Sequence, residues 1–345
     1  MAQNWPALLN RLVAGEDLSA RETAWAMNQV MSGEATPSQI AGLAVGLRAK
    51  GETPDEVVGM ADGMLANANR LEVPGPAVDI VGTGGDGSGS VNISTMSAIV
   101  TAAAGAPVVK HGNRSASSKC GAADVLEALG VAAVLPPEAV LRCVAELGIG
   151  FCFAPVFHPA LRFAGPTRKE LGIPTIFNLL GPLTNPAQPG AGLVGCAYPD
   201  KLEVIARVFA TRAASALVVR GDDGLDELTT TTTSTVWKVA GGRAVRETFD
   251  PDTVGIPRGT ADGLRGGDAE ENAAVVRALV AGEHGPVRDA VLLNAGAAIA
   301  AFGGLTGRLA EDVAAGIGRA AKAVDSGAAA ELLGRWVTLS SSLAG

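Results

Sequence analysis

The stretch from Val78 to Arg114 constrains the fold and chemistry of this chain most strongly. Its sequence, VDIVGTGGDGSGSVNISTMSAIVTAAAGAPVVKHGNR, predicts a short apolar strand, a glycine-rich loop, a helix that begins with hydroxyl-bearing residues, a second strand and a basic turn. Glycines let backbone N–H groups approach an anion closely, and a helix N-terminus carries about half a positive charge. The stretch therefore predicts a phosphate-binding loop.

The charges around this loop favour the same interpretation. Residues 87–123 contain no Asp or Glu but include Lys110, His111, Arg114 and Lys119, in a chain whose formal net charge is -8. Because the carboxyl ends of parallel strands meet at one edge of a sheet, we expect the segment 110–114 to face the glycine loop. Without that placement, the segment would be an ordinary solvated turn.

Two other phosphate motifs do not fit the loop. GTGGDG at 82–87 matches the dinucleotide pattern G-x-G-x-x-G, which needs an acidic residue about 20 positions further on to hold the ribose. Here the second strand ends in Lys110 and His111, and no Gly-Lys-Ser or Gly-Lys-Thr follows the loop as a Walker A motif requires. Simple turn chemistry is the remaining alternative.

The first 70 residues are predicted to be helical throughout, with four short helices before any strand. Capping boxes mark three of the helix starts, and Pro74, Gly75 and Pro76 then form a break that we interpret as a hinge. The capping pairs are Ser19 with Glu22, Thr36 with Gln39, and Thr53 with Glu56.

After this hinge, short apolar runs alternate with helical stretches, which predicts an α/β fold with a mainly parallel central sheet. The Thr-rich run 229–233 favours strand, and the residues between 236 and 248 are typical of a hairpin. The predicted strands lie at 78–81, 107–110, 150–154, 193–197 and 215–220, and the predicted helices at 94–104, 119–129, 137–147, 200–211, 287–302 and 309–325.

A length of 345 residues indicates two domains or one large domain with a subdomain. We expect a small all-α domain at 1–73, joined by helices from about 158–182. The larger α/β domain, which carries the phosphate site, is expected at 74–157 and 183–345.

Composition and charge exclude several classes of protein. A pI near 5.0 argues against general nucleic-acid binding, and no uninterrupted apolar run long enough for a membrane span is present. The N-terminus lacks the pattern of a secretory signal, so a cytoplasmic location is expected. The four cysteines show no CxxC spacing, which favours buried thiols over metal ligands or disulfides.

An acidic loop further along the chain is a candidate metal site. Asp222, Asp223, Asp226 and Glu227 would by default be surface acids, but a polyphosphate substrate usually brings Mg²⁺, which takes oxygen ligands. The sequence alone does not choose among these four.

Taken together, the motifs GTGGDGSGSVNIST, KHGNR, TRKELGIPTIFNLLGPLTNP and GLDEL resemble the anthranilate phosphoribosyltransferase family of tryptophan biosynthesis. The resemblance spans nearly the whole chain. It implies a nucleoside-phosphorylase-like fold, a homodimer, and Mg²⁺-dependent transfer of the phosphoribosyl group of 5-phosphoribosyl-1-diphosphate (PRPP) to the amine of anthranilate. It names no catalytic base.

The resemblance also implies roles for individual residues. For PRPP it implies Gly82, Thr83, Gly84, Gly85, Asp86, Asn92, Ser94, Thr95, Lys110 and Ser118. For anthranilate it implies Gly82, Asn113, Arg168 and, on weaker grounds, His111, His158 and Asn178, with Arg114 weaker still. For Mg²⁺ it implies Ser94, Asp226 and Glu227. Leu161 departs from relatives that carry a larger polar aromatic residue beside the anthranilate channel, which affects the expected selectivity of the outer channel.

From the residues alone, His158 would be a packed or capping residue and Arg168 an exposed helix residue.

Two other functions remain as alternatives. A pyrimidine nucleoside phosphorylase would share the fold, although its usual lysine- and serine-rich glycine motifs are missing from the sequence. A non-catalytic nucleic-acid-binding relative would need a basic surface, which the net charge of -8 disfavours.

Overall fold

The computed structural model describes residues 3–115 and 119–344. Within these residues the chain forms fifteen α-helices and a seven-stranded sheet. The N-terminal helices are α1 (Trp5–Val13), α2 (Ala20–Met31), α3 (Pro37–Lys50) and α4 (Pro54–Ala66). All three predicted capping boxes form at the starts of α2, α3 and α4, so the sequence signals for these helices are confirmed.

The sheet places its first strand at the centre. The strands are β1 (Val78–Gly82), β2 (Val108–Gly112), β3 (Ile149–Phe153), β4 (Ala191–Gly195), β5 (Ser215–Gly221), β6 (Ser234–Ala240) and β7 (Arg243–Phe249). Their order is β3-β2-β1-β4-β5-β6-β7. Strands β1 to β5 pair in parallel, whereas the pairs β5–β6 and β6–β7 are antiparallel. The chain therefore changes direction across the sheet between β1 and β4, and such a switch point is where open α/β sheets bind ligands.

Helices cover both faces of the sheet. They are α5 (Ile93–Ala103), α6 (Ala122–Ala128), α7 (Pro137–Leu147), α8 (Ala154–Phe157), α9 (Gly165–Leu171), α10 (Ile176–Leu179), α11 (Leu202–Thr211), α12 (Ala269–Val280), α13 (Pro286–Gly303), α14 (Leu309–Asp325) and α15 (Ala328–Leu343). Val78 and Ile80 of β1 pack into the core formed with α5 and α13. Val81 packs into a second core that also contains residues of α2, α3, α4 and α11.

The segment after β3 leaves the sheet and packs against the N-terminal helices. A 3₁₀ helix, Pro159–Phe163, contacts α2, while α9 and α10 contact α3. Ile176 and Phe177 of α10 are buried in the same core as the N-terminal helices. The small helical domain and the larger α/β domain with its mainly parallel sheet confirm the predicted fold class.

The predicted hairpin is confirmed, but the prediction that the Thr run favours strand is wrong. Gly241 and Gly242 connect β6 to β7 with φ of 57° and 73°, the two positive values that a type I′ turn requires. The Thr residues at 229–233 lie outside the strands, and β6 begins only at Ser234. Several of their hydroxyls are used to bind loop carboxylates, so β-propensity did not decide their conformation.

Two further findings concern the whole described chain. The cysteines within it are buried and none of them forms a disulfide, as the sequence predicts. None of the helices at 3–115 or 119–344 is both long enough and apolar enough to cross a membrane.

Candidate active site

The candidate site lies where the loops after β1 and β4 diverge. Gly82 at the end of β1 pairs with Gly195 at the end of β4. The amide of Thr83 donates to the carbonyl of Gly195 at 3.0 Å, and the amide of Ala197 donates to the hydroxyl of Thr83 at 3.0 Å. The first residues of the glycine loop are therefore held at the switch point of the sheet.

The acidic loop after β5 meets the glycine loop at this point. Asp226 accepts a hydrogen bond from the amide of Gly84 at 2.8 Å, and the amide of Asp226 donates to the Asp86 carboxylate at 3.4 Å. Glu227 accepts from the amide of Ser94, in the first turn of α5, at 3.1 Å. The fold thus brings together three segments that are far apart in the sequence.

Two glycines make this approach possible. A β-carbon at Gly82 would lie 2.3 Å from a carboxylate oxygen of Asp226, and one at Gly195 would lie 1.5 Å from the Asp226 carbonyl oxygen. Both distances are far below van der Waals contact, so any larger residue would displace Asp226. Gly195 is required by the close approach of the Asp226 backbone, and Gly82 leaves room for the Asp226 carboxylate.

Lys110 is buried inside the site. Its ammonium group donates to the Ser94 hydroxyl at 3.2 Å and to the carbonyl of Ile80. Burial lowers the pKa of Lys110, while the carboxylates of Asp79, Glu227 and Asp226 act in the opposite direction. The lysine therefore sits beneath the start of α5, beside the acidic pair.

The acid-free stretch 87–123 carries less free positive charge in the structure than its number of basic residues suggests. Arg114 forms ion pairs with Asp124 and Glu127, at 2.9 Å and 2.7 Å, and these two acids lie just beyond the acid-free stretch 87–123. Asn113 is exposed and its side-chain oxygen accepts from the amide of Arg114. Arg114 therefore offers no unpaired charge to a ligand in this structure.

The acidic pair has an unusual electrostatic environment. Burial and, to a smaller extent, the neighbouring charge of Asp86 together raise the pKa of Asp226 to about 7. Burial also raises the pKa of Glu227 well above its ordinary value, reinforced by the charges of Asp226 and Asp86. Buried carboxylates that repel one another are stabilised by a cation, so the pair is suited to hold one.

The donor set fits Mg²⁺ better than a metal held by protein groups alone. Over the described parts of the chain, no group of three His, Cys, Asp or Glu side chains forms a metal cage. Asp226, Glu227 and the Ser94 hydroxyl instead supply a few oxygens beside a phosphate loop, and Mg²⁺ usually takes one or two carboxylates plus waters and substrate phosphates.

The other two acids of this loop have structural partners. Asp223 accepts hydrogen bonds from the hydroxyls of Thr229 and Thr231, and Asp222 accepts from Thr233 at 2.5 Å. These carboxylates hold the Thr-rich turn in place. The structure thereby separates Asp222 and Asp223 from the pair that faces the glycine loop.

Arg168 lies on α9, across from the glycine loop. Its guanidinium stacks 5.5 Å from the centre of the Phe177 ring, and burial lowers its pKa. Among residues 3–115 and 119–344, no carboxylate forms an ion pair with this group, and the neutral phenol of Tyr198 lies near it. A partly buried arginine without a carboxylate partner is available to a carboxylate ligand.

Asn178 has a more structural placement. Its side-chain oxygen accepts from the amide of Thr175 at 3.0 Å and thereby caps α10. Its side chain also lies near the phenol of Tyr198, in the segment after β4.

His111 and His158 pack against each other inside the protein. Their ring centres are 5.2 Å apart. Nδ1 of His111 forms a hydrogen bond with the carbonyl of Gly181 at 2.9 Å, and Nε2 of His158 forms one with the carbonyl of Thr184 at 2.8 Å. Burial lowers the pKa of His111 to about 3 and that of His158 to about 4. Both rings are neutral at pH 7, and His158 is packed as its residue type suggests.

The remaining predicted residues differ in their surroundings. The side chain of Asn92 bonds to the carbonyl of Cys120 and to the amide of Asn272, which joins the start of α5 to α12. Thr95 is buried, and its hydroxyl has no hydrogen-bond partner among the described residues. Ser118 lies outside the described residues. Leu161 is half-buried in the 3₁₀ helix beside α2.

Cavity volume does not mark this site. A cavity of about 330 Å³ lies elsewhere, lined by Asp79, Asn185 and Arg212 among others. A smaller one, of about 160 Å³, adjoins the candidate site and is lined by Arg48, Tyr198 and neighbouring residues. The reactive groups instead gather at the open carboxyl edge of the sheet, as expected for an α/β fold.

Reasoning from the sequence missed two residues of this region. Gly195 was assigned only to a strand, because nothing local indicates that Asp226 passes against it. Tyr198 was not considered, although it follows β4 at the same sheet edge as the glycine loop. Its position directly after a parallel strand was the signal that identifies it.

The chain matches two parts of one family along most of its length. The helical bundle domain of the glycosyl transferase family matches residues 6–68, and the a/b domain of that family matches residues 74–330. An anthranilate phosphoribosyltransferase from Saccharopolyspora erythraea is 65% identical over 347 residues, covering 99% of this chain and 98% of the relative.

Solved structures agree. The anthranilate phosphoribosyltransferase of Thermus thermophilus superimposes with a TM-score of 0.90 at 45% identity, covering 96% of this chain and 99% of that one. The enzyme of Saccharomyces cerevisiae, solved in complex with PRPP and Mg, shares the fold with a TM-score of 0.88 at 24% identity and 98% coverage of both chains. On the strength of these matches and of the assembled loop, acidic pair and arginine, this chain belongs to the anthranilate phosphoribosyltransferase family.

Proposed function

We propose that this chain transfers the phosphoribosyl group of PRPP to the amine of anthranilate, as a step of tryptophan biosynthesis. The bond between C1 and the diphosphate oxygen breaks, the bond between C1 and the amine nitrogen forms, and the nitrogen loses a proton. The products are N-(5-phosphoribosyl)anthranilate and diphosphate. The observation that carries this proposal is the convergence of the glycine loop, Ser94, Lys110 and the pair Asp226 and Glu227 at one sheet edge.

In this proposal, PRPP occupies the side of the site formed by the loop after β1 and the start of α5. Loop amides and the helix N-terminus are suited to bind diphosphate and phosphate oxygens. The residues that we assign to PRPP are Gly82, Thr83, Gly84, Gly85, Asp86, Asn92, Ser94, Thr95, Lys110 and Ser118. Of these, Asn92 acts by holding the loop, because its amide already has protein partners.

Anthranilate occupies the side nearest α9 and α10. Arg168 binds its carboxylate, because a planar guanidinium matches the two carboxylate oxygens. Gly82 and Asn113 border the approaching ring, while His111, His158 and Asn178 shape this wall from inside the protein. We keep Leu161 as a residue that affects which substituted anthranilates pass the outer channel.

Asp226, Glu227 and Ser94 are the residues that would hold Mg²⁺. Bound there, the ion neutralises charge on the diphosphate of PRPP. The raised pKa values of the two carboxylates support this assignment, because each is buried next to a like charge. The two glycines at 82 and 195 let these oxygens lie close to the loop.

Bond breaking at C1 develops positive charge on the ribose and negative charge on the departing diphosphate. The loop amides and Lys110 are positioned to stabilise the negative charge without reorganising, which is usually the largest catalytic contribution. The aromatic amine is mostly unprotonated near pH 7, so the site needs no strong base before attack. Holding the amine in line with C1 supplies much of the remaining acceleration.

Loss of anthranilate fluorescence in the presence of PRPP, with Mg²⁺ or with a chelator, tests the proposal. We expect turnover with Mg²⁺ and little without it. Combining Asp226→Asn with Glu227→Gln should abolish the Mg²⁺-dependent turnover, whereas Asp262→Asn, an exposed acid paired with Arg265, should behave as wild type. Phosphorolysis of thymidine or uridine without any anthranilate turnover would instead support a nucleoside phosphorylase.

We also propose the domain division at 1–73 with 158–182 and at 74–157 with 183–345, supported by the packing of α9 and α10 on α3. A homodimer, which the family resemblance implies, is part of the same proposal. Light scattering of the purified chain tests it: a mass near twice the 34.6 kDa of one chain is expected, and a mass of one chain would contradict it. Buried cysteines without disulfides agree with a cytoplasmic location.

A further inference from the structure

Tyr198 is the only tyrosine of the chain and lies at the switch point of the sheet. It follows β4, three residues after Gly195, in the segment whose Ala197 amide binds the Thr83 hydroxyl. Its phenol oxygen rests against the glycine loop, so closely that a β-carbon at Gly85 would come within 2.9 Å of it. This side chain therefore contacts the loop to which we assign PRPP.

The same phenol also faces the wall to which we assign anthranilate. Arg168 of α9 and Asn178 of α10 both lie near it. Arg48, at the end of α3, lines the adjoining cavity with it. One side chain thus lies against the glycine loop, packs against the core of the helical domain and lies near the anthranilate wall.

We propose that Tyr198 is a positioning residue for the transferase reaction: its hydroxyl holds Gly85 and the Asn178 segment at a fixed separation, and so sets the distance between the two substrates. This inference rests on the proposed function. A hydroxyl is suited to the role because it has one donor and two acceptor sites, and can bridge groups on both sides. The rigid ring adds little conformational freedom to be lost.

Because the chain has a single tyrosine, biosynthetic labelling with meta-fluorotyrosine places one fluorine probe at this position. The fluorine NMR spectrum should contain one resonance. We expect it to shift when PRPP with Mg²⁺ is added, and to shift again when benzoate, which carries the carboxylate of anthranilate but no amine and so cannot react, is added to PRPP-saturated protein. A resonance that does not move with either substrate would overturn the proposal without any need for a variant.

Kinetics provide the second test. Tyr198→Phe keeps the ring and removes the hydroxyl, and the loss of one neutral hydrogen bond predicts a fall of about three- to tenfold in kcat/KM for anthranilate. The Tm should stay within about 2 °C of wild type, as expected for a single hydroxyl in a chain of this size. Thr211→Val is the matched control, because it removes a hydroxyl hydrogen bond at the end of α11, away from the site.

A double-mutant cycle separates positioning from simple loss of packing. Asn178→Asp keeps an oxygen to accept from Thr175 but removes the amide that interacts with Tyr198. If the two residues act together, the double variant should be no worse than the more impaired single variant. Fully additive effects, or wild-type kinetics in Tyr198→Phe, would overturn the inference. Absence of turnover in the wild-type enzyme would instead contradict the proposed function, and the fluorine spectrum would still report on Tyr198.

Discussion

Replacing Arg168 with alanine should reduce kcat/KM for anthranilate by about 10- to 100-fold and leave the KM for PRPP within about twofold of wild type. The magnitude follows from the position of the guanidinium. It is partly buried, stacked 5.5 Å from the Phe177 ring, and no carboxylate within residues 3–115 and 119–344 forms an ion pair with it. A hydrogen bond between charged groups contributes about 1.5–3 kcal/mol, which corresponds to the fold-change given.

Lysine at this position should recover only part of the loss. Arg168→Lys restores the charge but not the planar pair of donors, so we expect it to fall between alanine and wild type. Arg162→Ala is the matched control, because Arg162 lies in the adjoining 3₁₀ helix and stacks 4.7 Å from the centre of the Phe163 ring, but is exposed. Its kinetics should be those of wild type.

The substrate offers an independent check of the same interaction. Aniline presents an aromatic amine without the carboxylate, so it makes no ion pair with Arg168. The assay measures diphosphate release with PRPP and either anthranilate or aniline. Wild type should strongly prefer anthranilate, whereas Arg168→Ala should use the two amines with similar kcat/KM. An alanine variant that keeps the full preference for anthranilate would refute the assignment of Arg168 to the carboxylate.

Three further predictions concern the architecture of the site. Gly195→Ala should lower Tm by several degrees and abolish activity, because the new methyl group would meet the Asp226 carbonyl at 1.5 Å; thermal unfolding and turnover measure this, and a fully active variant would contradict it. His158 has a folded pKa of about 4, below the unfolded value of 6.5, so the unfolded state binds more protons between these values and stability falls as pH drops through this window. The variant His158→Gln keeps a donor for the Thr184 carbonyl but does not titrate. Between pH 7 and pH 5 its free energy of unfolding should therefore fall by about 2 kcal/mol less than that of wild type, which corresponds to a fall in Tm smaller by about 3 °C. Asp223→Ala should lower Tm by about 3 °C, because it loses the hydrogen bonds to two threonines, and the dependence of activity on Mg²⁺ concentration should not change. A changed dependence on Mg²⁺ would instead indicate that Asp223 helps to bind the metal.

Much of the fold could be predicted because its signals are local. Ser19 with Glu22, and the two similar pairs that follow, form the capping boxes that their spacing predicts. The helices at 286–303 and 309–325 lie within one residue of the predicted bounds at each end. The Thr run at 229–233 was misjudged, since its hydroxyls bind carboxylates that the sequence pattern does not connect with it.

Individual segments of the candidate site could be predicted from the sequence, but the contacts between them largely could not. The glycine loop was identified from residue type and spacing, whereas the pair Asp226 and Glu227 was singled out among four acids only by the family resemblance. The sequence did not show that Arg114 pairs with Asp124 and Glu127, which removes it from the positive region. Nor did it show that Lys110 is buried beneath the start of α5. Burial and pairing depend on residues brought from elsewhere in the chain.

The sequence by itself determined most of the helices and strands, and which loop is suited to phosphate, because those properties arise from neighbouring residues through backbone geometry and hydrogen bonding. Only the tertiary structure decided which acids face that loop, that Gly82 and Gly195 make room for Asp226, and that the phenol of Tyr198 lies against Gly85. These outcomes require parallel strands to end at one edge of the sheet. The physical reason is that the order of strands in the sheet determines which residues come close enough to pack together or to interact through their charges. No local sequence pattern contains that order.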